Sequence, residues 1–161
     1  MVGVLGSWMM MLPLLSWWLL MPLIGLIAVS LLDDIRNLPV RLRLLVQLVA
    51  AAILVAGLGL FERESILVAL VILMLTVWLT NLYNFMDGSN GLAGGMALIG
   101  FASYGIAALQ ANNEPFAMMN FSISAAALAF LYFNFPSAKI FMGDAGSIPL
   151  GFLVAAMGLW G

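Results

Sequence analysis

Cysteine and histidine are both missing from the 161 residues. Without cysteine there is no disulfide framework and no thiolate metal site. Without histidine the commonest general base and the commonest zinc ligand are gone as well. Charge is scarce: 7% of the residues are charged, with five Lys and Arg against seven Asp and Glu for a net charge of −2. A balance so close to neutral gives no sign of a nucleic-acid or acidic partner, and none is expected. A soluble domain carries roughly a quarter charged residues. This chain instead is 65% apolar with a mean hydropathy of +1.18, the composition of a bilayer protein. Chemistry is left to Asp, Glu, Asn, Lys, Arg and a hard metal ion.

The apolar runs divide the chain. The first 32 residues carry no charge, have no basic start, and form too long a run for a removable leader, so they read as a membrane span. A span needs about 20 apolar residues, and the best one here is Met9–Leu32, with Pro13 and Pro22 as kinks and residues 1–8 as the stub of an earlier element. Further spans follow at Leu44–Leu60, at Ile66 into a polar stretch beginning at Asn81, at Leu92–Leu109 and at Phe116–Phe133. A last apolar run, Ile148–Gly161, is too short to cross comfortably. The expectation is an all-α polytopic membrane protein, one integral-membrane domain with about five complete transmembrane helices and partial ones at the ends.

Alternating the loops across the bilayer sorts the charges. One side receives Arg36, Arg41, Arg43 and Lys139, the other only Arg63, so the first side is expected to be cytoplasmic. All four aspartates (Asp33, Asp34, Asp87, Asp144) fall on that basic side and all three glutamates on the opposite one. The glutamates read as solvated loop ends. The aspartates do not, because each abuts an apolar run and two sit beside glycines that let backbone approach a ligand.

Hard oxygen ligands next to cations suit Mg²⁺ or Mn²⁺ and phosphates, and a carboxylate in that setting also serves as a general base. The combination points to phosphoryl transfer, where positioning and charge neutralisation supply most of the catalysis. Three motifs carry a more specific signal: Asp33-Asp34 at a span's end; Asn81-x-x-Asn84-x-x-Asp87-Gly-x-Asn90-Gly; and Pro136-x-Ala-Lys139-Ile-Phe141-Met-Gly143-Asp144-x-Gly-Ser147. In this order and on one side, they resemble the polyprenyl-phosphate N-acetylhexosamine-1-phosphate transferases, glycosyltransferase family 4, over about Gly25 to Gly151.

The resemblance implies the central portion of a Mg²⁺-dependent enzyme of about ten spans in a bacterial inner membrane. Such an enzyme moves a sugar 1-phosphate from a UDP-sugar to undecaprenyl phosphate and releases UMP, starting a cell-envelope glycan such as peptidoglycan or lipopolysaccharide O-antigen. It further implies Asp144 and Asn84 as metal ligands, Asp33 as the carboxylate that deprotonates or positions the lipid phosphate, and Asp34 as its support. Asp87, Asn90 and Asn81 would line the nucleotide side, Phe141 would stack on uracil beside Gly143, and Arg36, Arg41, Arg43 and Lys139 would hold phosphates. Many members carry Asp where this chain has Asn90, which shifts any carboxylate role in that loop to Asp87. Two other readings compete: a non-catalytic remnant of such an enzyme, and a secondary transporter, whose carboxylates would sit near the bilayer midplane.

Overall fold

A computed structural model of the chain describes residues 16–161. Every regular element among them is helical: α1 (Trp17–Arg36), α2 (Val40–Gly57), α3 (Leu60–Arg63), α4 (Ile66–Asp87), α5 (Leu92–Gln110), α6 (Glu114–Asn134) and α7 (Asp144–Trp160). Five of these (α1, α2, α4, α5 and α6) are long and apolar enough to cross a membrane, while α7, at 17 residues, is shorter. The expected all-α polytopic architecture is therefore the one observed. The start of the first expected span and its Pro13 lie outside the described residues; Pro22 lies inside α1.

The boundaries follow local chemistry. Ser65 Oγ accepts from Val68 N at the start of α4, and Asn113 Oδ1 accepts from Phe116 N at the start of α6, each satisfying an orphan donor of the first turn. Asn37, in the left-handed region (φ 49°), closes α1 by donating its N–H to Asp33 O.

Three boundaries differ from the sequence expectation in ways that matter for the site. The helix α1 runs through Asp33 and Asp34 to Arg36, so the acidic pair occupies its last turn. Pro39 is the N-cap of α2, which starts at Val40, four residues before Leu44; the missing N–H of Pro39 is no loss there, and Arg41 and Arg43 become first-turn residues. The third difference is one of extent, since the span expected to run into the polar stretch continues through most of it. The polar stretch from Asn81 is helix as far as Asp87, so Asn81, Asn84 and Asp87 follow one another at successive turns along one side of α4.

Helix α7 is the centre of the packing, lying against both α1 and α4, while α2 bridges α1 and α4, and α5 pairs with α6. Leu19, Leu23 and Leu26 of α1 join Phe152, Leu153 and Met157 of α7 in the main buried cluster. Gly151 makes the approach to α4 possible: a Cβ there would stand 2.8 Å from both Leu79 O and Thr80 Cα. Backbone-to-backbone contact of this kind is how helices associate tightly in lipid, where apolar burial gives little preference for a helical neighbour over an acyl chain. It also brings the first turn of α7 level with the ends of α1 and α4.

Candidate functional site

The site is built around the first turn of α7. Gly143, its N-cap residue, has φ 63° and ψ 179°, a backbone region essentially restricted to glycine, and offers no side chain to the turn. The turn's amides are instead met by carboxylates from other helices. Asp87, the last residue of α4, accepts from Gly143 N through Oδ2 at 3.0 Å. Asp34 of α1 accepts from Asp144 N through Oδ1 and from Ala145 N through Oδ2, both at 3.2 Å. The positive end of the α7 dipole favours both contacts.

Beside this turn stands an acid–base–acid bridge. Arg43 Nη1 donates to Asp33 Oδ2 at 2.6 Å and to Asp144 Oδ2 at 3.0 Å. The second oxygen of Asp33 accepts from Leu38 N at 2.6 Å, so both oxygens of that buried carboxylate are occupied. One guanidinium thus faces two carboxylates. Burial, and after it the neighbouring Asp33 carboxyl, pushes the Asp144 carboxyl above its ordinary value.

Asn84 completes the group. Its amide touches the Asp144 carboxyl, and its Oδ1 lies 2.7 Å from Ser147 Oγ. The same hydroxyl lies 2.7 Å from Gly143 O, and its single proton serves only one of the two oxygens. A second unsatisfied acceptor is close by: Asp87 Oδ1 is buried with no hydrogen-bond partner. The site is therefore short of positive charge and of donors, and its spare atoms are hard oxygens. Among the described residues no three carboxylates converge as a metal cage. The donor set fits a divalent cation that takes one carboxylate and one amide oxygen here and draws its remaining ligands from substrate phosphates and water.

The expected residues therefore divide. Asp33, Asp34, Asp87, Asp144, Asn84, Arg43 and Gly143 come together. Asn81 is bonded to none of the carboxylates but donates through Nδ2 to Gln47 Oε1 at 2.6 Å and to Val77 O at 2.8 Å, and it lines with Arg43, Gln47 and Asn84 a small cavity of about 100 Å³ between α2, α4 and α7. Asn90 donates to Pro136 O at 3.2 Å, and Asn134 accepts from Gly91 N and donates to Ile140 O. Together these bonds fasten the 88–91 turn to the loop that carries Phe141. Phe141 itself is 55% exposed and borders an apolar cavity of about 240 Å³ between that loop, α6 and α7. Arg36, Arg41 and Lys139 are exposed, and among the described residues Arg43 is the cation engaged in ion pairs. The carboxylates all sit at helix ends. That placement does not match the midplane sites of transporters.

Sequence reasoning gave no role to Gln47, to Asn134 or to Ser147 at the end of the third motif. A signal existed for Gln47: it is the lone amide inside the Leu44–Leu60 apolar run, and a polar side chain within a span seeks a specific partner. In the structure it is buried and held by Asn81. Changing Gln47 to Leu should destabilise the protein by about 1 kcal/mol, because Asn81 is left without its partner, and the Gln47→Leu, Asn81→Leu double variant should cost less than the sum of the two single changes. A double-mutant cycle measured by unfolding in bilayers or detergent checks this, and strict additivity would contradict the pairing.

Comparison with known proteins bears on this geometry. The sequence pattern of glycosyl transferase family 4 matches residues 16–161. The chain is 33% identical over 149 residues to the "Probable undecaprenyl-phosphate N-acetylglucosaminyl 1-phosphate transferase" of Bacillus subtilis (strain 168), covering 84% of this chain and 41% of that protein. It is 42% identical over 108 residues to the phospho-N-acetylmuramoyl-pentapeptide-transferase of Levilactobacillus brevis, covering 67% of this chain and 33% of the relative. The corresponding protein of Lactobacillus helveticus is 32% identical over 166 residues, covering 90% and 52%. The chain thus spans about half the length, or less, of these curated relatives.

Proposed function

Because the chain belongs to glycosyl transferase family 4, we propose that it provides the catalytic centre for transfer of a sugar 1-phosphate from a UDP-N-acetylhexosamine-type donor to a polyprenyl phosphate such as undecaprenyl phosphate. The observation that carries this reading is the convergence on one helix turn of carboxylates from all three motifs: Asp33 and Asp34, Asp87, and Asp144. The names of the similar proteins, two of which transfer phosphosugars of different kinds, support the reaction class and leave the sugar open.

In this reaction an oxygen of the lipid phosphate attacks the sugar-bearing phosphorus of the donor. The bond from that phosphorus to the bridging oxygen breaks, its electron pair leaves on UMP, and the product is a lipid-linked sugar diphosphate. Asp33 is suited to receive the proton of the lipid phosphate at Oδ2, the atom now held by Arg43. An arriving phosphate offers Arg43 a third anionic partner and frees that oxygen. Asp144 and Asn84 would hold Mg²⁺ or Mn²⁺, which when bound neutralises the diphosphate charge that develops during transfer. Asp87 and Asn90 border the face on which the nucleotide would lie, and the exposed Phe141 ring is available to stack on uracil. Arg36, Arg41 and Lys139 supply unpaired positive charge at the same end of the bundle, and by the positive-inside rule this end is cytoplasmic. The step would initiate a cell-envelope glycan.

The deciding experiment is transfer of label from a radiolabelled UDP-sugar to undecaprenyl phosphate in membranes containing only this chain. Lipid-soluble label with stoichiometric UMP is expected. Absence of both, with the chain inserted and folded, would favour the non-catalytic remnant.

A further inference from the structure

Asp34 has a different surrounding from its neighbour Asp33. Asp33 is buried and engaged with a guanidinium and one loop amide. Asp34 is exposed, takes part in no ion pair among the described residues, and spends both oxygens on two consecutive amides at the start of α7. Those amides belong to residues 110 and 111 positions away in the chain. Helix α7 needs such help, because its own N-cap residue is Gly143 and no side chain of its own caps it. Four N–H groups at the start of any helix lack intrahelical partners, and a carboxylate is among the best acceptors for them. The fit is close: a Cβ on Gly143 would come within 3.1 Å of Asp34 Oδ2.

We infer that Asp34 is a positioning residue, the N-terminal cap of α7 supplied by another helix. Asp144 is the first residue of that helix, so the orientation of its side chain depends on the first turn being closed. Asp87, which holds Gly143 N, fixes the same turn from α4. The adjacent aspartates of the first motif thus divide their work. Asp33 faces the reacting groups through Arg43, and Asp34 acts only through the α7 backbone. Capping depends on an acceptor oxygen in the right place and not on net charge, and asparagine caps helices about as well as aspartate.

Two variants of the full chain test this. Asp34→Ala removes both acceptor oxygens, and Asp34→Asn keeps one of them while deleting the charge. Hydrogen exchange of the backbone amides at residues 144 and 145 should accelerate roughly fivefold to tenfold at both positions in the alanine variant, whereas in the asparagine variant the amide that keeps an acceptor oxygen should stay near its unmodified value. A second readout, Mn²⁺ affinity, rests on the cation reading proposed above. It should weaken at least about tenfold in Asp34→Ala and stay within about threefold in Asp34→Asn. If the two variants behave alike in exchange, or if alanine leaves exchange unchanged, the capping role is overturned. If asparagine weakens Mn²⁺ as much as alanine while exchange stays protected, Asp34 acts by its charge and the inference again fails. Should the unmodified chain bind no Mn²⁺, the cation reading fails by itself, and the exchange measurement still decides the role of Asp34.

Discussion

Asp144→Asn should abolish sugar-phosphate transfer and leave the fold intact. The carboxyl of Asp144 meets Arg43, Asn84 and Asp33 at once. Losing a residue that merely orients a metal ligand costs about 10–100-fold in affinity or activity, and loss of the ligand itself should exceed that range for Mn²⁺ binding. Stability should change little, for an electrostatic reason. In the parent site one guanidinium serves two carboxylates; in the variant Arg43 and Asp33 form a balanced pair. Asparagine also remains acceptable in the first turn of a helix. The measurements are UMP release, Mn²⁺ titration and thermal unfolding. Retained UMP release, or undiminished Mn²⁺ affinity, would remove Asp144 from the metal centre.

The opposite pattern is expected for Arg43→Ala. Here the fold suffers, since Asp33 and Asp144 lose their shared cation and face each other across the gap. Truncating one member of a buried pair costs about 3–5 kcal/mol. The Arg43 side chain is 31% exposed, so water screens part of the repulsion and about 2 kcal/mol is the expected loss. Two further outcomes give the prediction its edge. Divalent cation affinity in the absence of substrate should rise, because two carboxylates are released to bind it, and millimolar Mg²⁺ should restore much of the lost stability. Arg43→Lys should recover most of the stability as well: both contacts fall on the single nitrogen Nη1, which an ammonium can imitate. Thermal unfolding with and without Mg²⁺ reads all three. A destabilisation insensitive to Mg²⁺ would mean that Arg43 packs and does not neutralise.

Much of this arrangement was legible from the residue order. Apolar length alone separates the spans, because lipid leaves a chain little choice but helix wherever polar groups are scarce. Alternating the loops brings the four aspartates to one end, and their contacts in the structure agree. The boundaries were less legible. Asn81, Asn84 and Asp87 suggest a turn when polarity is taken as the sign of a helix end, yet their spacing of three is equally a helical spacing, and contact with α2 and α7 decides for helix. Hydropathy likewise placed the start of α2 too late, at Leu44, because Arg41 and Arg43 look like loop residues until Asp33 and Asp144 are seen to face Arg43. Local sequence says nothing of contacts across a hundred residues, so the sharing of Arg43 and the capping of α7 by Asp34 required the fold.

The distance along the chain between partners also sets an order of events. Arg43 and Asp33 are ten residues apart, whereas Arg43 and Asp144 are 101 apart. At a synthesis rate of about 5–20 residues per second, several seconds separate the appearance of the first pair from the arrival of α7. During that interval the ion pair at the α1–α2 hairpin shields Asp33 beside the membrane with a partner that is already made. Helix α7, emerging later, then recruits this arginine, receives its cap from Asp34 and brings Asp144 with it. On the cation reading proposed above, competence for cation binding would be acquired with the docking of α7, and a nascent chain halted before Gly143 would carry three of the four aspartates without Asp144 or the turn that orders them.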